Sequence, residues 1–229
     1  MKMSLAGILA TLGSKELPIA LWETIEMTFV STFFAYVIGL PLGVLLVVTA
    51  KDGIRPRPVF NTVLGTIVNF LRSIPFIILL ALLIPVTRAV MGTAIQMKGI
   101  LFPLIISAFP YVARMVESSL LEVDPNIIEA AESMGSTPWQ IVRKVLLPEA
   151  LPSLITGASI TIVAIIGYTS MAHVVSGGGL GQMAIAKGYN TRKFDIMYAA
   201  SIALVILVQL IAMLGSFLGR VSNHKSRKS

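Results

Sequence analysis

The sequence predicts an all-α polytopic membrane protein of about five transmembrane helices, with a hairpin of short polar helices between the third and the fourth. Composition is the first reason, because the 229 residues are 55% hydrophobic and 13% charged, with a mean hydropathy of +0.86. Charged residues make up about a quarter of an ordinary soluble domain. The second reason is that five apolar stretches reach the roughly 20 residues that a membrane helix needs. The third is a polar segment, rich in helix caps, that separates two of these stretches.

The N-terminal segment, residues 1–24, is predicted to be a surface or external element. Lys2 and the apolar run after it have some character of a signal peptide. The run is short, however, no small-x-small cleavage site stands out, and Lys15 and Glu16 follow closely. A surface helix that leads into the first span is therefore the preferred interpretation.

Residues 25–219 form the predicted transmembrane domain. The first span contains the run Gly39-Leu40-Pro41-Leu42-Gly43 and is expected to kink there, because proline removes an amide donor and glycine weakens a helix. The five predicted spans are residues 25–49, 59–86, 100–121, 151–175 and 196–219.

The fourth span differs from the others in chemistry. It is rich in small and weakly polar residues, which permit close contact and hydrogen bonding between helices. They are Ser153, Thr156, Gly157, Ala158, Ser159, Thr161, Ala164, Gly167, Thr169 and Ser170. This composition favours a central helix that lines a pathway. The first and fifth spans carry large apolar residues around their whole circumference, as lipid-facing helices do.

The segment 124–148 is predicted to be a hairpin of two capped helices. Asp124 and Pro125 are favourable residues for an N-cap and a first helical position. The first helix has about two and a half turns, and Gly135 supplies the left-handed residue that ends it. Its apolar face is predicted to consist of Ile127, Ile128, Ala131 and Met134.

The second helix of the hairpin has its own start signal. Thr137 precedes Pro138, and Gln140 is placed to reach back to the backbone of Thr137 as in a capping box. This helix is expected to run until Pro148. Together the two helices and the glycine corner predict a rigid docking element.

The distribution of positive charge predicts the orientation of the chain. Lys51, Arg55 and Arg57 cluster after the first span, and residues 220–229 form a basic tail with Arg220, Lys225, Arg227 and Lys228. Both segments, and with them the hairpin, are therefore expected in the cytoplasm, with the N-terminus outside. Residues 187–193 then lie outside against this rule. The net charge of +7 forms no basic stripe with interleaved aromatics, so lipid headgroups explain it better than nucleic acid.

The hairpin also carries a sequence resemblance. Its pattern resembles the cytoplasmic coupling motif of permease subunits from bacterial ATP-binding-cassette (ABC) importers. The pattern is Glu129-Ala130-Ala131, three residues, Gly135, nine residues, Val145, one residue, and then Leu147-Pro148. Val145 stands where that pattern usually has isoleucine. The resemblance implies that Glu129, Ala130, Ala131, Gly135, Leu147 and Pro148 couple the chain to an ATPase. An amphipathic helix on the membrane surface would explain residues 127–134 alone, but not this spacing.

The resemblance to one group of these permeases covers nearly the whole chain. The chain is similar to methionine-import permeases of the type I ABC importers at Trp22-Glu23-Thr24, residues 72–80, 113–117 and 140–151, and Gly178-Gly179-Leu180-Gly181-Gln182. This implies a bacterial inner-membrane protein that works as two copies with two ATPase subunits and an external, periplasmic or lipid-anchored, methionine-binding protein. The substrate is then D- or L-methionine, and another small amino acid or methionine analogue is the alternative.

The chain has no nucleotide-binding or catalytic signature of its own. No GxxxxGK[ST] loop is present, so ATP and Mg²⁺ are expected on the partner ATPase and no cofactor is expected here. No GxSxG serine or His-Glu cluster suggests an enzyme, and His173 and His224 are too far apart in sequence to define a metal site. An ion-coupled carrier is a weaker alternative, because Glu117 is the only acid well inside a span. The sequence has no cysteine.

Few residues inside the spans are candidates for a functional role. Arg72 is suspect because a cation at that depth is costly, and bracing by Asn69, Ser73 and the carbonyls freed by Pro75 is favoured over contact with a substrate carboxylate. Arg114 and Glu117, three apart, are expected to form a local ion pair.

Two features near the outer end of the fourth span are candidates for a gate. Tyr168 and Met171 are the only bulky residues of a stretch that is otherwise small, and they plug the pathway in one interpretation and merely pack in the other. The glycine-rich run at 177–181 is interpreted as a mobile turn at the outer gate, with an ordinary loop as the alternative.

Overall fold

The computed structural model describes residues 5–223, and every regular element among them is a helix. The chain contains twelve α-helices in this range, together with one 3₁₀ segment and two π segments. The α-helices are α1 Leu5–Leu12, α2 Glu16–Val48, α3 Pro58–Ser73, α4 Phe76–Leu82, α5 Ile84–Met91, α6 Gln96–Leu121, α7 Pro125–Ser133, α8 Pro138–Ile141, α9 Leu147–Glu149, α10 Leu151–Thr169, α11 Gly179–Gln182 and α12 Phe194–Ser222. The prediction of an all-helical membrane protein is confirmed.

In the described part of the chain, four helical stretches are long and apolar enough to cross a membrane: α2, α6, residues 151–175 and α12. Of these, α2 has 33 residues and is about 50 Å long, more than the roughly 30 Å of a bilayer core. It begins nine residues before the predicted span. Half of the apolar stretch of α6 is buried, against 22% in the fourth span and 11% in α12. The fourth span therefore offers most of its surface to something beyond this chain.

The predicted second span is broken rather than continuous. Helices α3 and α4 meet at an angle of 98°. Ile74, between them, is extended at φ −81° and ψ 119°, and Pro75 follows it. A residue that precedes proline is pushed out of the helical region, and proline donates no amide hydrogen. Within residues 5–223, four unbroken helical stretches are therefore long and apolar enough to be spans, or five when this bent pair counts as one.

The chain divides into two compact units. One unit contains the described residues up to Phe33 together with Pro75–Ala108 and Ile162–Ile211. The other contains Phe34–Ile74, Phe109–Thr161 and the described residues from Ala212 onward.

The first unit has a small apolar core at the start of α2. Its buried members are Ala20, Leu180, Met183, Ala184 and Ala200. Beside this core, the glycine-rich run is fixed to α2 by two hydrogen bonds. The backbone N–H of Gly179 donates to Glu23 Oε2 at 2.6 Å, and that of Leu180 donates to Thr24 Oγ1 at 2.8 Å. The run was interpreted as a mobile turn, whereas in the structure it is a packed turn that is hydrogen-bonded to α2.

The second unit is built on a close contact between α2 and α6. A Cβ atom at Gly39 would lie 2.7 Å from the carbonyl oxygen of Phe109, and one at Gly43 would lie 2.6 Å from that of Ala113. The two glycines therefore allow the backbones to approach, as small residues do in membrane helix packing. The helix continues through Pro41 to Val48.

The predicted basic tail falls largely beyond the described residues. Helix α12 ends at Ser222, and Arg220 near its end is exposed. Lys225, Arg227, Lys228 and His224 lie outside the described residues, as does Lys2 at the other end of the chain.

Candidate functional site

The first helix of the hairpin begins at the predicted cap. Asp124 is extended, and its Oδ1 accepts the backbone N–H of Asn126 at 2.9 Å. Pro125 occupies the first helical position, where its missing amide hydrogen costs nothing. The start of α7 is thus fixed by two adjacent residues.

The corner of the hairpin is a complete Schellman motif. Gly135 has a φ of +78°, the N–H of Ser136 donates to the carbonyl of Ala131 at 3.1 Å, and that of Gly135 donates to Glu132 at 2.8 Å. Both bonds satisfy carbonyls that the end of a helix leaves unpaired. The predicted glycine corner is confirmed as a conformation. Its role in coupling stays a prediction.

The second helix of the hairpin has both halves of the predicted capping box. Gln140 Oε1 accepts the N–H of Thr137 at 2.8 Å, and Thr137 Oγ1 accepts the N–H of Gln140 at 3.4 Å. The predicted end of this helix was Pro148, and in the structure the helix continues one residue further, to Glu149. A π turn over Val142–Leu146 precedes the short helix α9. Pro148 is tolerated in the first turn of α9 because an amide hydrogen at that position would have no partner within the helix.

The hairpin has a buried side and a solvent-exposed side. Ile141 and Leu146 are fully buried and Ala131 is 4% exposed, whereas Met134 is 80% exposed. Met134 therefore departs from the predicted apolar face, because it lies past the last helical residue, at φ −81° and ψ 6°. Of the predicted coupling residues, Glu129, Ala130, Gly135 and Pro148 are exposed, Leu147 is half-buried and Ala131 is buried. A rigid element with an exposed acid and an exposed methionine is suited to binding another protein.

Arg114 forms the polar centre of the second unit. Its Nη1 pairs with Glu117 Oε2 at 2.5 Å, as the spacing predicts. Its Nε donates to Asn69 Oδ1 at 3.1 Å, and its Nη2 donates to the carbonyl of Gly65 at 3.0 Å. The contacts with α3 were not predicted. The sequence signal for this contact was a polar residue, Asn69, within an apolar span, but Asn69 was predicted to bind Arg72 instead of Arg114.

Arg72 is exposed, and its guanidinium carbon lies 5.9 Å from the ring centroid of Tyr111. This is the separation of a cation–π contact. Asn69, which was expected to brace Arg72, contacts Arg114 instead, and the Ser73 hydroxyl donates to the carbonyl of Asn69. Bracing of Arg72 therefore comes from an aromatic ring rather than from the predicted polar groups.

Tyr168 stacks on Phe76, with ring centroids 5.1 Å apart and planes inclined by 20°. Met171 lies beyond the end of α10, in the 3₁₀ segment Ser170–Val175, and both residues are half-buried. The stack gives Tyr168 a packing contact, and the role of Tyr168 and Met171 as a gate stays a prediction. Among residues 5–223, no cluster of three or more His, Cys, Asp or Glu residues is placed to hold a metal ion.

The fold and the hairpin together define a polytopic helical membrane protein with a preformed element for docking. The chain belongs to the family of binding-protein-dependent transport system inner membrane components, which matches residues 35–228.

Individual relatives are similar over most of the chain. The probable D-methionine transport system permease protein MetI of Vibrio cholerae is 44% identical over 214 residues, which cover 93% of this chain and 95% of the relative. The D-methionine transport system permease protein MetI of Escherichia coli K12 is 53% identical over 150 residues, 66% of this chain and 69% of the relative. A solved inward-facing structure of the MetNI methionine ABC transporter matches with a TM-score of 0.89 and 45% identity, over 97% of this chain and 100% of that one.

Proposed function

We propose that this chain is the permease subunit of an ATP-driven importer, and that it forms the pathway for methionine across the bacterial inner membrane. The observation that carries the proposal is the capped hairpin, with its buried side and its exposed side. The chain that contains it matches methionine transport permeases over nearly its full length. A transport subunit of this kind is not itself an enzyme.

Two copies of the chain form the pathway, and the fourth spans face each other across a two-fold axis. This arrangement is supported by the small, weakly polar residues of α10, which suit contact between helices. Helix α12 is buried still less within the single chain, but it carries large apolar residues that suit lipid. Residues 25–219 are the permease domain, residues 1–24 the external segment and residues 220–229 the cytoplasmic tail.

ATP is bound and hydrolysed by a partner subunit that docks on the hairpin. The chain has no phosphate-binding loop, whereas the exposed Glu129 and Ala130 on α7 and the fixed corner at Gly135 offer a surface for that partner. Leu147 and Pro148 connect this surface to α10. Two ATPase subunits and an external methionine-binding protein complete the transporter.

The hairpin and the C-terminus are cytoplasmic, and the N-terminus is external. Lys51, Arg55 and Arg57 support this orientation by the positive-inside rule. Lys187, which opposes the rule, is paired with Glu16 at 3.0 Å, so part of its charge is compensated.

Transport by ion coupling is disfavoured by the state of Glu117, the acid that the sequence predicts to lie well inside a span. Glu117 accepts a charged hydrogen bond from Arg114, and a carboxylate held in this way braces the fold rather than binding a transported proton.

Uptake of labelled methionine tests the proposal. The chain is expressed with its cognate binding protein and ATPase in a strain that lacks its own methionine importer. We expect uptake that requires all three components and is competed by unlabelled D- or L-methionine. Uptake without the ATPase would replace the proposal with an ion-coupled carrier, and competition only by a different small amino acid would change the substrate.

A further inference from the structure

A groove of about 750 Å³ lies in the second unit, between the end of α2 and the start of the second hairpin helix. One wall is apolar and is formed by α2 and the start of α3. Its members include Leu40, Val44, Val48 and Phe60. Leu40, Val44 and Val48 lie on the side of α2 away from Gly39 and Gly43, which face α6. The groove thus uses the face of α2 that helix packing leaves open.

Two arginines are fixed at one end of this groove. The loop after α2 folds back, so that the backbone N–H of Arg55 donates to the carbonyl of Val48 at 2.9 Å and that of Arg57 donates to Thr49 at 3.0 Å. These carbonyls belong to the end of α2, where helical partners run out. The bonds therefore hold both arginines beside the negative end of the helix dipole.

Neither guanidinium group has a protein partner in the described part of the chain. Within residues 5–223, neither Arg55 nor Arg57 forms a side-chain hydrogen bond or an ion pair, and Asp52 in the same loop pairs with neither. Both side chains are exposed and line the groove. A pair of unpartnered cations at the end of an apolar wall is complementary to an anionic group with a hydrocarbon tail.

Trp139 of α8 also lines the groove and is 69% exposed. An exposed tryptophan next to arginines and apolar helix surface is typical of the membrane interface, where its ring lies at the level of the headgroups. Pro138 and Val142 line the groove as well, so residues of both the membrane helix and the hairpin contribute to it.

We propose that this groove binds an anionic phospholipid, with its phosphate on Arg55 and Arg57 and an acyl chain along Val44, Val48 and Phe60. The lipid then contacts α2 and α8 at once and supports the hairpin on the membrane helix. The choice of leaflet rests on the proposed orientation, but lipid binding itself is measured without transport.

The test uses the assembled transporter and titration with phosphatidylglycerol, followed by native mass spectrometry. Each arginine near an anionic lipid contributes about 1 kcal/mol, so the double variant Arg55→Gln, Arg57→Gln is expected to bind phosphatidylglycerol about 30-fold more weakly. The matched control is Arg143→Gln, Lys144→Gln, which removes the same charge from exposed positions that do not line the groove. The control is expected to change the affinity less than about threefold. Equal loss in both variants would overturn the proposal in favour of general surface charge.

A photocrosslinker at Phe60 identifies the occupant directly. In bilayers of phosphatidylcholine with phosphatidylglycerol, we expect an adduct with the mass of phosphatidylglycerol. An adduct with the second permease copy or the ATPase would overturn the proposal and make the groove a protein interface. Inorganic phosphate that displaces the lipid at comparable concentration would also overturn it, because a free-anion site has no use for the apolar wall. Thermal unfolding of each variant in detergent confirms that the comparison is made on folded protein.

Discussion

Gly179 and Glu23 are 156 positions apart in the sequence, and a hydrogen bond of 2.6 Å joins the backbone N–H of the glycine to the carboxylate. Gly179 has a φ of +79°, and a Cβ atom there would lie 2.8 Å from both Met27 Cε and Thr24 Oγ1. Position 179 therefore requires glycine for two reasons: its backbone is left-handed, and the surface of α2 leaves no room for a side chain.

Gly179→Ala is expected to destabilise the protein by about 2 kcal/mol, because the new methyl group meets both a strained φ and an occupied site. Thermal unfolding in detergent measures this. The matched control is Gly167→Ala, where nothing lies within 4 Å of the added carbon and the backbone is helical. Similar unfolding temperatures for the two variants would contradict the packed turn described above.

Arg114→Lys is expected to be far from conservative. The guanidinium holds Asn69, Gly65 and Glu117 with three different nitrogens, and an ammonium on a flexible stem does not reproduce that fork. We expect a loss of about 1 to 3 kcal/mol, which allows for the partial exposure of the ion pair. The control is Arg88→Lys at an exposed position of α5. A loss no greater than that of the control would show that the cluster does not stabilise the unit.

The hairpin could be predicted from sequence because its geometry is local. A cap at Asp124 or Thr137 is completed by a residue two or three positions away, and the corner needs only a left-handed glycine. The spans could be predicted because a bilayer imposes a length on any apolar stretch.

The remaining contacts depend on partners that are distant in sequence. Glu23 and Asn69 receive their donors from positions 156 and 45 residues away, and no spacing rule identifies such pairs. The bend at Pro75 was missed for a different reason. Apolar composition continues through it, so a count of hydrophobic residues joins two helices that the backbone separates.

Gly135→Leu is expected to abolish transport while insertion and dimerisation remain. A side chain is penalised in the left-handed corner, so the hairpin is misaligned on its partner. Gly92→Leu is an exact match for the local strain, since Gly92 has a φ of +76° and, like Gly135, has nothing within 4 Å of an added Cβ. Uptake and unfolding temperature are measured for both. Equal loss of uptake would mean that backbone strain alone, rather than the position in the hairpin, explains the effect.

Glu129→Ala is expected to weaken association with the ATPase more than it weakens folding, because the side chain is exposed on α7. Co-purification of the complex over a series of salt concentrations measures association, and thermal unfolding measures folding. Glu122→Ala removes an equally charged, exposed group just before the hairpin and serves as the control. Unchanged co-purification at every salt concentration would contradict a docking role for Glu129.

Met171→Cys tests the arrangement of the fourth spans. In a two-fold dimer with these spans on the axis, equivalent residues meet their own copies. Disulfides form only when the α-carbons approach within about 7 Å. The chain has no cysteine, so a single introduced thiol reports without background. Oxidation is expected to crosslink two permease copies in the nucleotide-free complex, and to do so less when ATP is trapped with the binding protein docked.

The control for this experiment is chosen from the structure. Leu204, which the sequence suggests as a lipid-facing position, packs against the core around Leu180 and Ala200. Val205 is the better control because it is 58% exposed on α12. Crosslinking through Val205→Cys without crosslinking at position 171 would place α12 rather than the fourth span at the two-fold axis. Crosslinking at 171 that is insensitive to nucleotide would keep the axis but remove the gate, since a plug has to separate when the outer side opens.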